Sequence, residues 1–227
     1  MGMGWSDPGP SVVSSADLAR DLAVLQDRAK LHAPFVIVAS SIGGLTAEMY
    51  ARQYPERVAG LVFVDAASSE WLPDARDLSR TAPFLACAAG VAARFGLIRL
   101  VDPFGLRLET SEQARRSAAI TYGARPWATV CAIVRGLAAD PQAFEQAPPL
   151  PRDVPLVVLS AESDEDLFPG SRLAGSIRAA RIDRHKVFAA RSTHGTWTLV
   201  PDSTHLIGDS QPDAVADAVL AMLEQIP

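Results

Sequence analysis

Phe35-Val36-Ile37-Val38-Ala39-Ser40-Ser41-Ile42-Gly43-Gly44 is the stretch on which the reading of this chain turns. Its first four residues form an unbroken apolar run, as expected of a strand covered on both faces in a parallel sheet. From Leu45 to Tyr54 the apolar residues recur at helical spacing. A strand, a sharp turn and a helix therefore follow one another. Ser41 falls at the turn, with Ala39 two residues before it and Gly43 two after. This is the small-x-nucleophile-x-small spacing of a nucleophile elbow, with Ala39 replacing the usual first glycine. So tight a turn predicts that both flanking positions must be small. It lifts the Ser41 hydroxyl clear of the sheet, beside the first unpaired N–H groups of a helix.

Working outward, the helix after Ser41 stops at Tyr54-Pro55, and Val58 to Val64 reads as a second buried strand ending at Asp65. Strand, helix, strand implies a parallel crossover. Upstream, Ser15 or Asp17 can cap a helix carrying Leu18, Leu22 and Leu25, which His32-Ala33-Pro34 ends. Downstream, Ser69 to Gln146 reads as successive helices with arginines on their polar faces. Ala147-Pro148-Pro149-Leu150-Pro151 is a stiff return linker. Val154 to Ser160 is a third strand, Pro169 to Ala180 is helical, and Thr196 to Val200 is a fourth strand. Gln211 to Ile226 is a closing amphipathic helix with Pro212 in its first turn. The class is α/β.

The 227 residues suit one domain, or one core with an insertion. A net charge of −5 argues against a nucleic-acid partner. Cys87 and Cys131 lie in separate apolar helical stretches, which predicts free buried thiols and a reducing, cytoplasmic setting. Residues 1–15 contain no apolar core of the kind a signal peptide needs. The longest uncharged run, Thr81 to Ala93, holds Pro83 and Gly90 and is too short to span a bilayer, so no stable membrane insertion is expected. His32 reads as lying at the base of a strand, and His185 and His194 as surface residues. No histidine pair has ligand spacing and both cysteines are isolated, so neither metal nor cofactor is expected.

The segments "FVIVASSIGG", "YPERVAGLVFVDA", "VPLVVLSAESD" and "VPDSTHLI" occur in an order that resembles the α/β-hydrolase fold with a helical cap. The resemblance implies a parallel sheet of about four strands flanked by helices. It assigns residues 1–68 and 147–227 to the core and 69–146 to the cap. It implies Ser41 as nucleophile, His205 as its base and Asp164, in "SAESD", as the acid that orients the histidine. Asp65 is the alternative acid, with Glu162 and Asp166 as nearby substitutes. Gly2-Met3-Gly4-Trp5-Ser6-Asp7 resembles the "G-x-G-x-S-D" that follows the family's fourth strand. The four strands before it, and the "HG" loop that gives one oxyanion donor, are therefore expected to lie outside this sequence. The N–H of Ile42 is the donor that remains, and loss of one donor typically costs about 10²–10³ in rate. The elbow strand becomes an apolar edge, which predicts pairing with a second copy as a homodimer.

Two functional expectations follow. The first is a serine hydrolase acting on an ester or related small apolar acyl substrate, with Phe84, Leu85, Phe95, Leu97, Phe104 and Trp127 of the cap roofing the pocket. A serine at the elbow argues against an epoxide hydrolase or dehalogenase, which use aspartate there. The second is a non-catalytic hydrolase-like remnant or interaction module that keeps the elbow for packing.

Overall fold

Phe35–Ser40 (β1), Val58–Val64 (β2), Leu156–Ala161 (β3) and Gly195–Val200 (β4) pair as one parallel sheet in chain order. The computed structural model describes residues 7, 9–101, 112, 116, 121–164 and 174–226, and only the backbone within 73–82. The helices, in chain order, are Ser15–Arg28 (α1), Gly43–Gln53 (α2), Leu72–Arg94 (α3), Leu97–Val101 (α4), Ala124–Gly136 (α5) and Asp140–Gln146 (α6). Ala174–Ala189 (α7), the single turn Ile207–Ser210 (α8) and Pro212–Glu224 (α9) complete the described helices.

Strand alternation sorts the apolar residues into two layers. Leu61 and Phe63 of β2 pack with Ala47 and Ala51 of α2, Val158 of β3 and Phe188 of α7. Their neighbours Val62 and Val64 face the other way, onto Leu159, Val200 and Met222 of α9. The Phe63 and Phe188 ring centroids are 4.7 Å apart at a tilt, a geometry that adds about 0.5–1.5 kcal/mol beyond burial. The parallel register sets Ser40 opposite Val64 and Val64 opposite Leu159. The residues that follow β1, β2 and β3 thus emerge side by side at one end of the sheet. β1 pairs with β2 alone among the described residues, and its Val38 is 47% exposed. Among the described residues β1 is thus an edge strand, as expected, and its faces are only partly covered.

The chain divides into two compact units. One, residues 16–73 with 142–227, contains the sheet. Within it Glu48 and Arg52, both buried, are joined at 3.0 Å. Glu48 also accepts from the Ser69 N–H and hydroxyl at 2.7 Å each. Breaking such a buried pair typically costs about 3–5 kcal/mol, so the turn after β2 is firmly held on α2.

The second unit comprises Asp74–Pro141 with the segment ending at Ser15. Here the Val13 N–H donates to Ala132 O at 3.1 Å, and Ser15 donates from N–H and hydroxyl to Asp140 at 2.9 and 2.7 Å. Cys87 and Cys131 form a disulfide, Cα–Cα 4.8 Å, which corrects the expectation of free thiols. The reason is tertiary. Helices α3 and α5 run past one another and bring within bonding reach two residues 44 apart in sequence. Phe84 and Phe95 of this unit are each 75% exposed, while Phe104 lies outside the described residues. No helix among the described residues is long and apolar enough to cross a membrane.

Candidate active site

Ser41 sits between β1 and α2 with φ +53°. An L-residue adopts this left-handed backbone only where its surroundings enforce it. The Ser41 carbonyl is tied down twice, by the Gly44 N–H at 3.2 Å and by the Ala67 N–H at 2.9 Å. The second bond links the elbow to the loop after β2. A Cβ at Gly44 would stand 2.2 Å from the Ala67 carbonyl oxygen, whereas one at Gly43 would meet nothing within 4 Å. The steric demand for a small residue after Ser41 therefore falls on Gly44. Gly43, which the elbow spacing singled out, faces open space. Ile42 caps α2 in helical conformation, so its N–H belongs to the first turn, whose donors lack partners inside the helix.

Asp65 follows β2 directly and also has a positive φ, +46°. It is 2% exposed. Its Oδ1 accepts from the Ala161 N–H at the end of β3, at 2.9 Å. Its Oδ2 lies 2.7 Å from His205 Nδ1. His205 Nε2 in turn lies 3.0 Å from Ser41 Oγ. A carboxylate can only accept, so Nδ1 carries the proton and Nε2 presents a lone pair to the Ser41 hydroxyl. Asp65 and His205, 24 and 164 residues after Ser41 in the chain, thus meet it in one line from hydroxyl to carboxylate.

The loop bearing His205 is anchored to the end of β3. Ser203 Oγ donates to Val200 O at 2.7 Å and accepts from the Glu162 N–H at 3.1 Å, and the Ser163 N–H donates to Ser203 O at 2.9 Å. Glu162 accepts from the Asp202 N–H at 2.8 Å, so its carboxylate serves this loop. Asp164 is buried at 3% and pairs through Oδ1 with Arg181 Nη1. The structure brings Ser41, His205 and Asp65 together and sets Asp164 against Arg181. Asp166 and residues 1–6 lie outside the described residues.

His185, expected at the surface, is buried at 3% on α7. Its Nε2 lies 3.1 Å from Ala66 O and its Nδ1 2.7 Å from Ser160 Oγ, which also accepts from Trp197 Nε1 at 2.8 Å. Nε2–H donates to the carbonyl, and Nδ1 accepts from the serine hydroxyl. Burial disfavours the charged ring and lowers its pKa from 6.5 to about 4, against the opposing pull of Asp65. His185 therefore clamps the backbone next to Asp65 as a neutral side chain. The polar run around it hides this in the sequence. The available signal is its place three residues before the buried Phe188, on one helix face.

A cleft of about 350 Å³ opens over Ser41 and His205, with Ile42, Ala66, Ala67, Trp71 and Ile177 among its walls. Among the described residues no three His, Cys, Asp or Glu side chains gather as a metal site.

A family model described as the alpha/beta hydrolase family matches residues 1–218. Among curated proteins, an uncharacterised protein of Schizosaccharomyces pombe is 31% identical over 166 residues, or 70% of this chain. The chain spans 30% of that relative's length. Among solved structures, an esterase from Thermogutta terrifontis with malate bound superposes with a TM-score of 0.66 at 24% identity, over 99% of this chain and 77% of its own. A hydrolase from Pseudomonas aeruginosa PA01 gives 0.61 at 20% identity, over 98% and 76%. The enol-lactonase from Burkholderia xenovorans LB400 gives 0.56 at 17% identity, over 99% and 78%. At these identities the solved structures speak to the fold.

Proposed function

The chain belongs to the alpha/beta hydrolase family, and from that premise we propose that it is a serine hydrolase of small apolar esters or related acyl compounds. One observation carries the reading: His205 stands between Ser41 Oγ at 3.0 Å and Asp65 Oδ2 at 2.7 Å. A serine hydroxyl is a weak nucleophile at neutral pH and needs a base within hydrogen-bond reach. In the proposed reaction His205 Nε2 takes the Ser41 proton as Oγ attacks the acyl carbon. Asp65 holds the imidazole in the required tautomer and offsets the charge it gains. His205 returns the proton to the leaving alcohol. Water, deprotonated by the same nitrogen, then releases the acid from Ser41.

The Ile42 N–H is the proposed donor to the oxyanion. The volume of the cleft lies in the range of small-molecule sites, and the apolar part of its wall, Ile42, Ala66, Ala67, Trp71 and Ile177, suits an uncharged acyl chain. The likeness to an esterase supports the choice of ester over other acyl compounds.

A fluorophosphonate probe and a series of p-nitrophenyl esters test the proposal. The expected result is a label on the Ser41 peptide, lost in Ser41→Ala and strongly reduced in His205→Gln, with turnover of short esters. A folded protein that neither takes the label nor turns over esters would overturn it in favour of a non-catalytic module.

A further inference from the structure

Two buried carboxylates flank one guanidinium, Arg181, which with Asp65 also forms part of the wall of the candidate cleft. Asp65 and Asp164 have side-chain exposures of 0% and 1%, and Arg181 of 17%. Arg181 Nε lies 3.1 Å from Asp65 Oδ1, Nη1 pairs with Asp164 Oδ1, and Nη2 donates to Ala161 O at 3.2 Å. The Nε–H is not aimed at an acceptor, so the contact with Asp65 is one of charge. The directed bonds go to Asp164 and Ala161. Ala161 also donates its N–H to Asp65 Oδ1. Arg181 is therefore fixed by Asp164 and by the end of β3, with its charge held against the Asp65 oxygen that His205 does not use.

We propose that Arg181 is a positioning residue that keeps Asp65 turned toward His205, and that Asp164 acts on the site by anchoring Arg181. The proposal rests on the reading of Asp65 as the group that orients His205. A buried carboxylate needs a cation or hydrogen bonds, and the planar guanidinium fork can serve two carboxylates from one side chain where a lysine serves one. The groups facing Asp65 from the elements packed on it are His205 from the loop after β4 and Arg181 and His185 from α7, with Asp164 behind Arg181.

The sign of the effect separates this role from a structural one. Removing the guanidinium leaves the surroundings of His205 more negative, which favours the protonated ring. The acid limb of the kcat/KM profile then moves to higher pH in Arg181→Met, by about one pH unit. Removing the Asp164 charge leaves Arg181 uncompensated, and the limb moves to lower pH in Asp164→Asn. The double variant returns toward the wild-type position. In Arg181→Met kcat falls about 10-fold with KM within about twofold, because orientation is lost and binding is not. Arg181→Lys restores the limb but not kcat.

An independent readout is the low-field NMR resonance of the His205 Nδ1 proton, assigned by its loss in His205→Gln. It is expected in the wild type and broadened in Arg181→Met and Asp164→Asn. Limbs that stay put, or move in the same direction, together with an unchanged resonance would overturn the proposal. If Arg181→Met does not fold, Asp164→Asn and Arg181→Lys decide it by the same criteria. A wild type without turnover would overturn the hydrolase reading, while the resonance would still decide the role of Arg181.

Discussion

Asp65 Oδ2 lies 2.7 Å from His205 Nδ1, and the same imidazole reaches Ser41 Oγ with Nε2 at 3.0 Å. Asp164 follows the next strand of the sheet and spends its charge on Arg181. The two aspartates should therefore behave differently on substitution. Asp65→Asn keeps the shape but forces the wrong imidazole tautomer, so kcat should drop about 10³–10⁴-fold. Asp164→Asn should cost about 10-fold or less, since it acts at one remove. Steady-state hydrolysis of a p-nitrophenyl ester compares them directly, and a larger loss in Asp164→Asn would reverse the assignment of the acid.

The two glycines of the elbow should also part company. Gly44→Ala drives a methyl to 2.2 Å from a backbone carbonyl, and overpacking against unyielding atoms costs about 1–3 kcal/mol or more. Gly43→Ala meets open space within a helical turn and should be neutral or stabilise by up to about 1 kcal/mol. Thermal melts of the two variants give the comparison.

His185 makes stability depend on pH. Its folded-state pKa is lowered from 6.5 to about 4 by burial, so the unfolded chain binds the proton more readily. Stability from this group is complete above pH 6.5 and is lost as pH falls toward 4, an effect on the order of 3 kcal/mol. Urea unfolding between pH 7 and 4.5 should show that decline. His185→Gln should flatten it.

The Cys87–Cys131 bond closes a 44-residue separation within the second unit, a loop length for which the chain-entropy account gives about 4 kcal/mol. Non-reducing peptide mapping should find the two peptides joined. Reduction should lower the melting temperature of the wild type and leave a Cys87→Ser/Cys131→Ser double variant unchanged.

The β1 edge should promote self-association, because Val38 is 47% exposed on an apolar strand paired on one side among the described residues. Sedimentation velocity of the wild type and of Val38→Lys tests this. A charge on the edge should shift the population toward monomer, and identical sedimentation would exclude β1 as the contact.

Local sequence determined a good deal. The apolar runs marked β1, β2 and β3 and the class of fold, whereas β4, Gly195–Val200, is a mixed strand with one buried residue. The elbow spacing singled out Ser41 and the loop after the last strand singled out His205, two side chains that the structure sets 3.0 Å apart. What local patterns could not determine were the relations between distant elements. Asp65 and Asp164 each come after a buried strand, and by sequence Asp164 stands first as the acid with Asp65 as the alternative. The sheet register and the approach of α7 decide that Asp65 meets the histidine while Asp164 meets Arg181. His185 lies in a run of charges, and only the packing of α7 on the sheet buries it. The two cysteines look isolated until α3 and α5 lie side by side. Gly44 matters through the carbonyl of Ala67, a residue of another loop. Periodicity records which face of a segment is buried, and tertiary structure alone decides what that face is buried against.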